Sequence, residues 1–310
     1  SLVGSEMCIR DSDIIGKFVN SKEKANELLK LLTWKGQDKL DLQYTPIIKI
    51  DSNHYYVSMD ILISSNIVRN SLVLARYRKI RDANSDGQND PLEIFCEQIF
   101  QECSFSYQTR SNIKYKYRGE HGEIDFLAWS DDRMYIIECK NAILPSSSHE
   151  IRATYECIQK ASHQLDMSFQ AMQDEVVQKT YFSQWGISIR DRTIHTCILL
   201  GNRIFAMENG MRHPVRYAQE LHMVLTSGVV TNGLGRWSCW AGNQFTDGDL
   251  ARYLSDADPL SKSFCESMTP YTETFRCLGN KMQLNSYAYN PLLHMEKLDK
   301  YLKIIDKDDE

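Results

Sequence analysis

Asp125, Glu138 and Lys140 are the residues in this chain whose types and spacing point to chemistry. They lie in Glu123-Ile124-Asp125-Phe126-Leu127-Ala128-Trp129, the turn Ser130-Asp131-Asp132-Arg133, and Met134-Tyr135-Ile136-Ile137-Glu138-Cys139-Lys140-Asn141. Two apolar runs around a short polar turn read as a β-hairpin. With Asp131 and Asp132 in the turn, Ser130 pairs with Arg133, and counting outward sets Asp125 opposite Glu138. Residues so opposed have Cβ atoms about 4.5–5.5 Å apart, and like charges there repel. Side chains alternate along a strand, so Lys140 shares the face of Glu138, together with Leu127, Trp129, Met134 and Ile136. Ile124, Phe126, Ala128, Tyr135, Ile137 and Cys139 fall on the other face. Both faces are mostly apolar, which calls for helices on both. Two facing carboxylates are costly at the end of such a sheet unless something compensates, and a hard divalent cation with oxygen ligands would do so. Alternation turns Cys139 away from the polar face, against a role as nucleophile, and the chain carries neither a GxSxG motif nor a Walker-type loop.

Asp125, then Glu138-x-Lys140 on the next strand, resembles the signature of the PD-(D/E)XK, or restriction-endonuclease-like, nuclease superfamily. The local text around Ile124-Asp125 and Ile136-Ile137-Glu138-Cys139-Lys140-Asn141 is most similar to its Mrr-like and NERD-like branches. The resemblance covers 88–205, under half of the chain. It implies an α/β fold with a restriction-endonuclease-like core, a mixed sheet flanked by helices. It also implies an endonuclease dependent on Mg²⁺ or Mn²⁺ that hydrolyses phosphodiester bonds, DNA favoured over RNA, with defence against foreign DNA as a role and a dimer as an option. Asp125 and Glu138 would hold the metal, with the backbone carbonyl of Cys139 as an extra ligand. Lys140 would orient the attacking water or stabilise charge on the phosphorane. The family's early-helix glutamate falls at Glu93, with Glu97 one turn later as the alternative; both also fit as first-turn carboxylates favoured by the helix dipole. A glutamine that related nucleases place beside the site falls at Gln164, for which a surface residue is the simpler reading. Two other readings stay open: a catalytically silent nucleic-acid-binding or interaction module on the same fold, and a plain structural ion pair between Lys140 and Glu138.

The elements that must position these residues follow from the rest of the chain. Its 310 residues are enough for one large or two modest domains, and 42% hydrophobic with 25% charged residues is ordinary globular composition. No apolar run approaches a membrane span. A net charge of -5 means that nucleic-acid binding would need local Lys/Arg patches. The nine cysteines form no CxxC pair and read as free thiols of a reducing cytoplasm.

Residues 1–12 read as a translated sequencing adaptor and are set aside. An N-terminal α+β region is expected over 13–87: a helix over 13–33, a hairpin over 44–58, and a helix over 59–81 with Ile61, Leu62, Val68, Leu72 and Ile80 inward. That helix also carries the basic cluster Arg69, Arg76, Arg78, Lys79 and Arg81, read first as a solvated face and second as a phosphate contact. Residues 82–93 fit the EF-hand pattern, with Ca²⁺ ligands at Asp82, Asn84, Asp86 and Glu93 and Gly87 at the turn, although Asn89 departs from it. A polar interdomain linker is the preferred reading. A helix starts at Pro91. Residues 105–118 form a strand in which Lys114, Lys116 and Arg118 alternate with aromatics, a pattern that suits nucleic acid or simply one solvated strand face. His121 and Glu123 flank Asp125 as supporting candidates. A long helix over 151–177 uses Ile151, Tyr155, Ile158, Ala161, Leu165, Phe169, Met172 and Val176. A buried strand follows over 193–206, where His195 reads as a strand residue. The region 206–310 is expected to be mostly helical, and the tail 306–310 disordered.

Overall fold

The computed structural model describes residues 21–36, 42–52, 54–58, 60–61, 66–77, 90–187, 192–206, 212–232, 235–277 and 280–307. The adaptor-like stretch 1–12 lies outside them, as do the calcium-loop positions Asp82, Asn84, Asp86 and Gly87. So do Leu62, Arg78, Lys79, Ile80 and Arg81 of the expected basic helix. The chain forms two compact units, Ser1–Gln88 and Asn89–Glu310. Among the described residues no helix is long and apolar enough to cross a membrane.

The first unit is a small α+β layer. Helix α1 (Lys22–Leu32) starts where the Ser21 side chain accepts from the Lys24 N–H. Strand β1 (Thr33–Trp34) pairs parallel with β2 (Ile47–Lys49), which pairs antiparallel with β3 (Tyr55–Val57). Helix α2 (Ile67–Tyr77) completes the layer. Its inward face differs from the expected one: Val68 and Leu72 are exposed, while Asn70 and Leu74 are buried. Asn70 donates to the Gln43 carbonyl at 2.6 Å, and Arg69 donates to Asn70 and lies 5.4 Å from the Tyr44 ring. An apolar count misses a helix face buried through polar groups that find partners. Arg69 is therefore part of the core of this unit and not of a basic surface.

The second unit is built on a five-stranded sheet in the order β4-β5-β6-β7-β8, comprising β4 (Gln108–Tyr117), β5 (Glu120–Trp129), β6 (Arg133–Lys140), β7 (Thr193–Leu200) and β8 (Val215–Tyr217). The first three strands run antiparallel and the last three parallel. The parallel step from β6 to β7 is made through α4 (Ser148–Gln173), a βαβ crossover. Helices cover both faces. Ile158, Ala161 and Leu165 of α4 pack on Leu127, Met134 and Ile136. On the other face, α3 (Pro91–Glu102) and α5 (Ala218–Thr226) pack Cys96, Ile99 and Leu221 on Phe126, Tyr135 and Ile137. Helix α4 stops earlier than its periodicity suggests, because Asp174 turns out of the helix and its carboxylate caps the N–H groups of Val176 and Val177. Its apolar stripe is buried through the middle turns, while Ile151 and Tyr155 near its start and Val176 beyond its end are exposed.

The region beyond 205 is not mostly helical. It supplies β8 to the central sheet, so a boundary at 205 falls inside the unit. Strands β9 (Val229–Asn232), β10 (Gly235–Ser238) and β13 (Lys303–Lys307) form a second sheet, and β11 (Met268–Cys277) pairs with β12 (Asn280–Tyr289) as a ribbon. Residues 303–307 are thus strand, and residues 308–310 of the expected tail lie outside the described residues. Helices α6 (Asp247–Tyr253), α7 (Pro259–Glu266) and α8 (Pro291–Tyr301) complete the region. The ribbon is rich in Thr, Tyr and Phe, which favour strands, but it is exposed on both faces. Its sequence therefore shows no clean alternation of apolar and polar residues.

Asp247 at the start of α6 locks the β5–β6 turn. Its carboxylate accepts from Tyr107 (2.8 Å), Tyr135 (2.5 Å), Ser130 (2.8 Å) and Arg133 (3.2 Å). Burial opposes its ionisation, but these four donors outweigh burial and hold the group below the usual carboxylate range.

Candidate active site

The β5–β6 ladder pairs Trp129 with Met134, Ala128 with Tyr135, Leu127 with Ile136 and Phe126 with Ile137. Ser130 N–H donates to the Arg133 carbonyl at 2.9 Å, the closing rung expected from the turn. One step beyond Phe126 the register sets Asp125 against Glu138, and there the ladder stops. Asp125 Oδ2 instead accepts from the Cys139 N–H at 2.8 Å. The carboxylate does what a strand carbonyl does elsewhere in the ladder.

A phase break makes this possible. On strict alternation Ile124 belongs with Phe126, but it packs with Leu127 and Trp129 on the α4 face. Strand β4 breaks at the same place: Ser111 pairs with Phe126 and Ile113 with Ile124, while Asn112 between them has φ 55. Asparagine tolerates this left-handed backbone better than most residues. Both strands lose one step of alternation together, so the register survives and the faces exchange. The expectation that Ile124 lies on the Phe126 face is corrected by this break.

Lys140 hydrogen-bonds Glu138 and lies 3.8 Å from Asp125 Oδ2. Glu138 is 1% exposed. Burial, then the Asp125 charge, push its carboxyl up to about 8 against the pull of Lys140. Burial likewise raises Asp125, although Lys140 and the Cys139 N–H oppose it. Burial disfavours the Lys140 ammonium, but Glu138 and Asp125 outweigh it and keep the lysine above its usual value.

Glu93 on the first turn of α3 belongs to the same cluster. Burial, then Asp125, raise it to about 7, while a hydrogen bond with Asn112 pulls the other way. Its Oε2 is buried without a hydrogen-bond partner. Glu97, one turn on, is half-buried on the same helix. Gln164 is half-buried on α4 and makes no hydrogen bond to the cluster among the described residues; α4 reaches the site through Ser168, which lies 3.0 Å from the Tyr115 hydroxyl. The Glu138 charge is felt at Tyr115, whose phenol is raised chiefly by burial. The Cys139 thiol points away to Cys96, 3.8 Å off; that contact and burial raise it well above its usual value, so it is no nucleophile. His195 is a strand residue stacked on Tyr135.

Sequence reasoning missed Asn112, Tyr115 and Ser168. Gly122 carried a signal for Tyr115, because a strand glycine marks a close approach by another group.

The donor set suits a hard divalent cation. It is all oxygen, the carboxyls of Glu93, Asp125 and Glu138 are all raised, and Glu93 Oε2 has no partner. Among the described residues no three His, Cys, Asp or Glu side chains stand close enough to form a ready-made metal group. Mg²⁺ commonly takes one or two carboxylates and completes its shell with water, so the Asp125–Glu138 pair is a sufficient base. A cleft of about 220 Å³ opens at the carboxyl ends of β6, β7 and β8, lined by Pro91, Phe95, Asn141, Gly201, Tyr217 and Gln219; the cluster's own side chains do not line it. Comparison of the chain with protein-family models, with curated proteins and with solved structures found no match.

Proposed function

We propose that the chain is a metal-dependent nuclease of the PD-(D/E)XK type, acting on DNA in preference to RNA. The observation that carries this reading is the meeting of Asp125, Glu138 and Lys140 at the end of one hairpin, with Asp125 fixed by the Cys139 N–H. Asp125 and Glu138 would hold Mg²⁺ or Mn²⁺. Such an ion polarises a phosphodiester and lowers the pKa of an attacking water. Lys140, charged and held at the carboxylates, supplies positive charge to a phosphate entering there. Glu93, with its carboxyl near 7, is placed to take a proton at neutral pH.

One observation favours a second reading. Lys140 is already hydrogen-bonded to Glu138 and lies 3.8 Å from Asp125, an arrangement that fits a silent nucleic-acid-binding module on this fold that holds no metal there. Cleavage of plasmid and single-stranded DNA with Mg²⁺ or Mn²⁺ separates the two. Cleavage lost both with EDTA and in Asp125→Ala supports the nuclease. Cleavage that survives Asp125→Ala overturns the site. Binding without cleavage by any preparation favours the module.

A further inference from the structure

We propose that the two-stranded arm formed by β4 and β5 grips the phosphate backbone of a polynucleotide beside the carboxylate cluster, through Lys114 and Lys116. This rests on the nuclease reading and adds where the substrate strand runs.

Strand β5 leaves β6 at Phe126 and continues with β4 alone to the pair Tyr117↔Glu120. Arg118 (φ 51) and Gly119 (φ 90) close the arm with the positive φ angles of a type I′ turn. The phase break at Asn112 and Asp125 decides what each face carries. Ile113 and Tyr115 turn into the core under α4. Lys114 and Lys116 therefore emerge, exposed, on the opposite face, the side of α3 and Glu93. Without the break they would point toward α4. The step that carries Asp125 to the Cys139 N–H thus also puts two cations on the sheet face of α3 and Glu93, across the sheet edge from Glu138 and Lys140.

Lys114 stands opposite Glu123 and Lys116 opposite His121. Glu123 is close enough for its charge to be felt at Glu93, so the arm's base adjoins the cluster. Neither lysine forms an ion pair among the described residues. Both are exposed, as is Arg118 at the tip. In a chain of net charge -5 this is a local basic stripe. Two lysines at i and i+2 are about 6.8 Å apart along a strand, a spacing suited to successive phosphates. A regular stripe that runs toward Glu93 at the edge of the cluster favours a polynucleotide over an acidic protein segment.

The test uses the full chain. Binding to a short labelled duplex is measured against salt in an Asp125→Ala background, where cleavage plays no part. Removing two phosphate contacts, at roughly 0.9 each, should lower the slope of log K against log salt by about 2 in Lys114→Ala/Lys116→Ala. Lys160→Ala, an exposed lysine of α4, should leave it unchanged. With Asp125 intact, the double variant should cleave a small nitrophenyl phosphodiester as fast as the unaltered chain and a polynucleotide more slowly. An unchanged slope, or an equal fall with Lys160→Ala, overturns the arm. Preferential binding of polyglutamate over duplex also overturns it. A slope that falls as expected while no variant cleaves anything keeps the arm and removes the nuclease reading.

Discussion

The Tyr115 ring lies across Gly122, so close that a methyl group on residue 122 would stand 2.2 Å from Tyr115 Cζ. The two residues are cross-strand partners in β4 and β5. The glycine makes room for a ring whose hydroxyl meets Ser168 and whose neighbourhood includes Glu138. Gly122→Ala should therefore displace Tyr115. Overpacking of this kind costs about 1–3 kcal/mol. Thermal melts would show the loss, and Gly122→Ala/Tyr115→Leu, which shortens the side chain, should recover part of it. A single variant as stable as the unaltered chain would contradict the packing described.

Asp125 has a structural and a chemical part to play, and two substitutions separate them. Asp125→Asn keeps an oxygen for the Cys139 N–H and removes the charge; Asp125→Ala removes both. The alanine variant should be less stable by about 1–3 kcal/mol, the usual cost of a buried donor left unmet. The asparagine variant should fold almost normally and, on the nuclease proposal, should lose Mg²⁺-dependent cleavage. Equal stability of the two variants in urea would show that the carboxylate does not replace a ladder bond.

Glu93 and Glu138 keep their protons in the folded chain up to about 7 and about 8, against an ordinary value of 4.5. Between those limits the unfolded chain has released protons that the folded chain retains. Their stabilising contribution is full below about 4.5 and is lost as pH rises through the folded values. Melting temperature should fall over that window, and Glu138→Gln should flatten the fall. Mg²⁺ needs the ionised carboxylates, so its stabilisation should be larger at pH 8 than at pH 5. Calorimetry across pH, with and without Mg²⁺, checks both; a slope unaffected by Glu138→Gln would remove Glu138 as its source.

Asp247 gathers four donors at the turn of the β5–β6 hairpin. Asp247→Ala leaves the half-buried Tyr107 hydroxyl without this acceptor, leaves Tyr135 only the backbone carbonyl of residue 247 at 3.1 Å, and frees Arg133. A loss of about 3 kcal/mol or more is expected in urea unfolding. The change sits at the far end of β6 from Lys140, so on the nuclease proposal cleavage at low temperature should persist in the fraction that remains folded.

The hairpin was legible because its register follows from one count: with Asp131 and Asp132 in the turn, every later rung is fixed, down to Phe126 against Ile137, the last pair before Asp125 and Glu138. The helices over both faces followed from apolar positions on each side of β5 and β6. The phase break was not legible. Asn112 in a left-handed conformation leaves no mark in a hydrophobic pattern, and alternation resumes on both sides of it. The face of α2 escaped because Asn70 and Arg69 are buried as polar partners of their neighbours. Strands β11 and β12 escaped because an exposed ribbon has no buried face to set a period. Tyr271, Phe275, Met282 and Leu284 stand exposed on one side of it.

The short connection between β5 and β6 also bears on the order of events during folding. Asp125 and Glu138 are brought together by a local turn, and hairpins close in about 1–10 μs. Pairing β6 with β7 must wait for the whole of α4 and the segment after it, a long loop with a larger closure entropy. The carboxylates can thus meet while Glu138 still lacks its β7 neighbour Ile198 and the cover of α4. In that interval they are hydrated and ionise at ordinary pH, and Lys140 can settle between them before burial makes their charge costly.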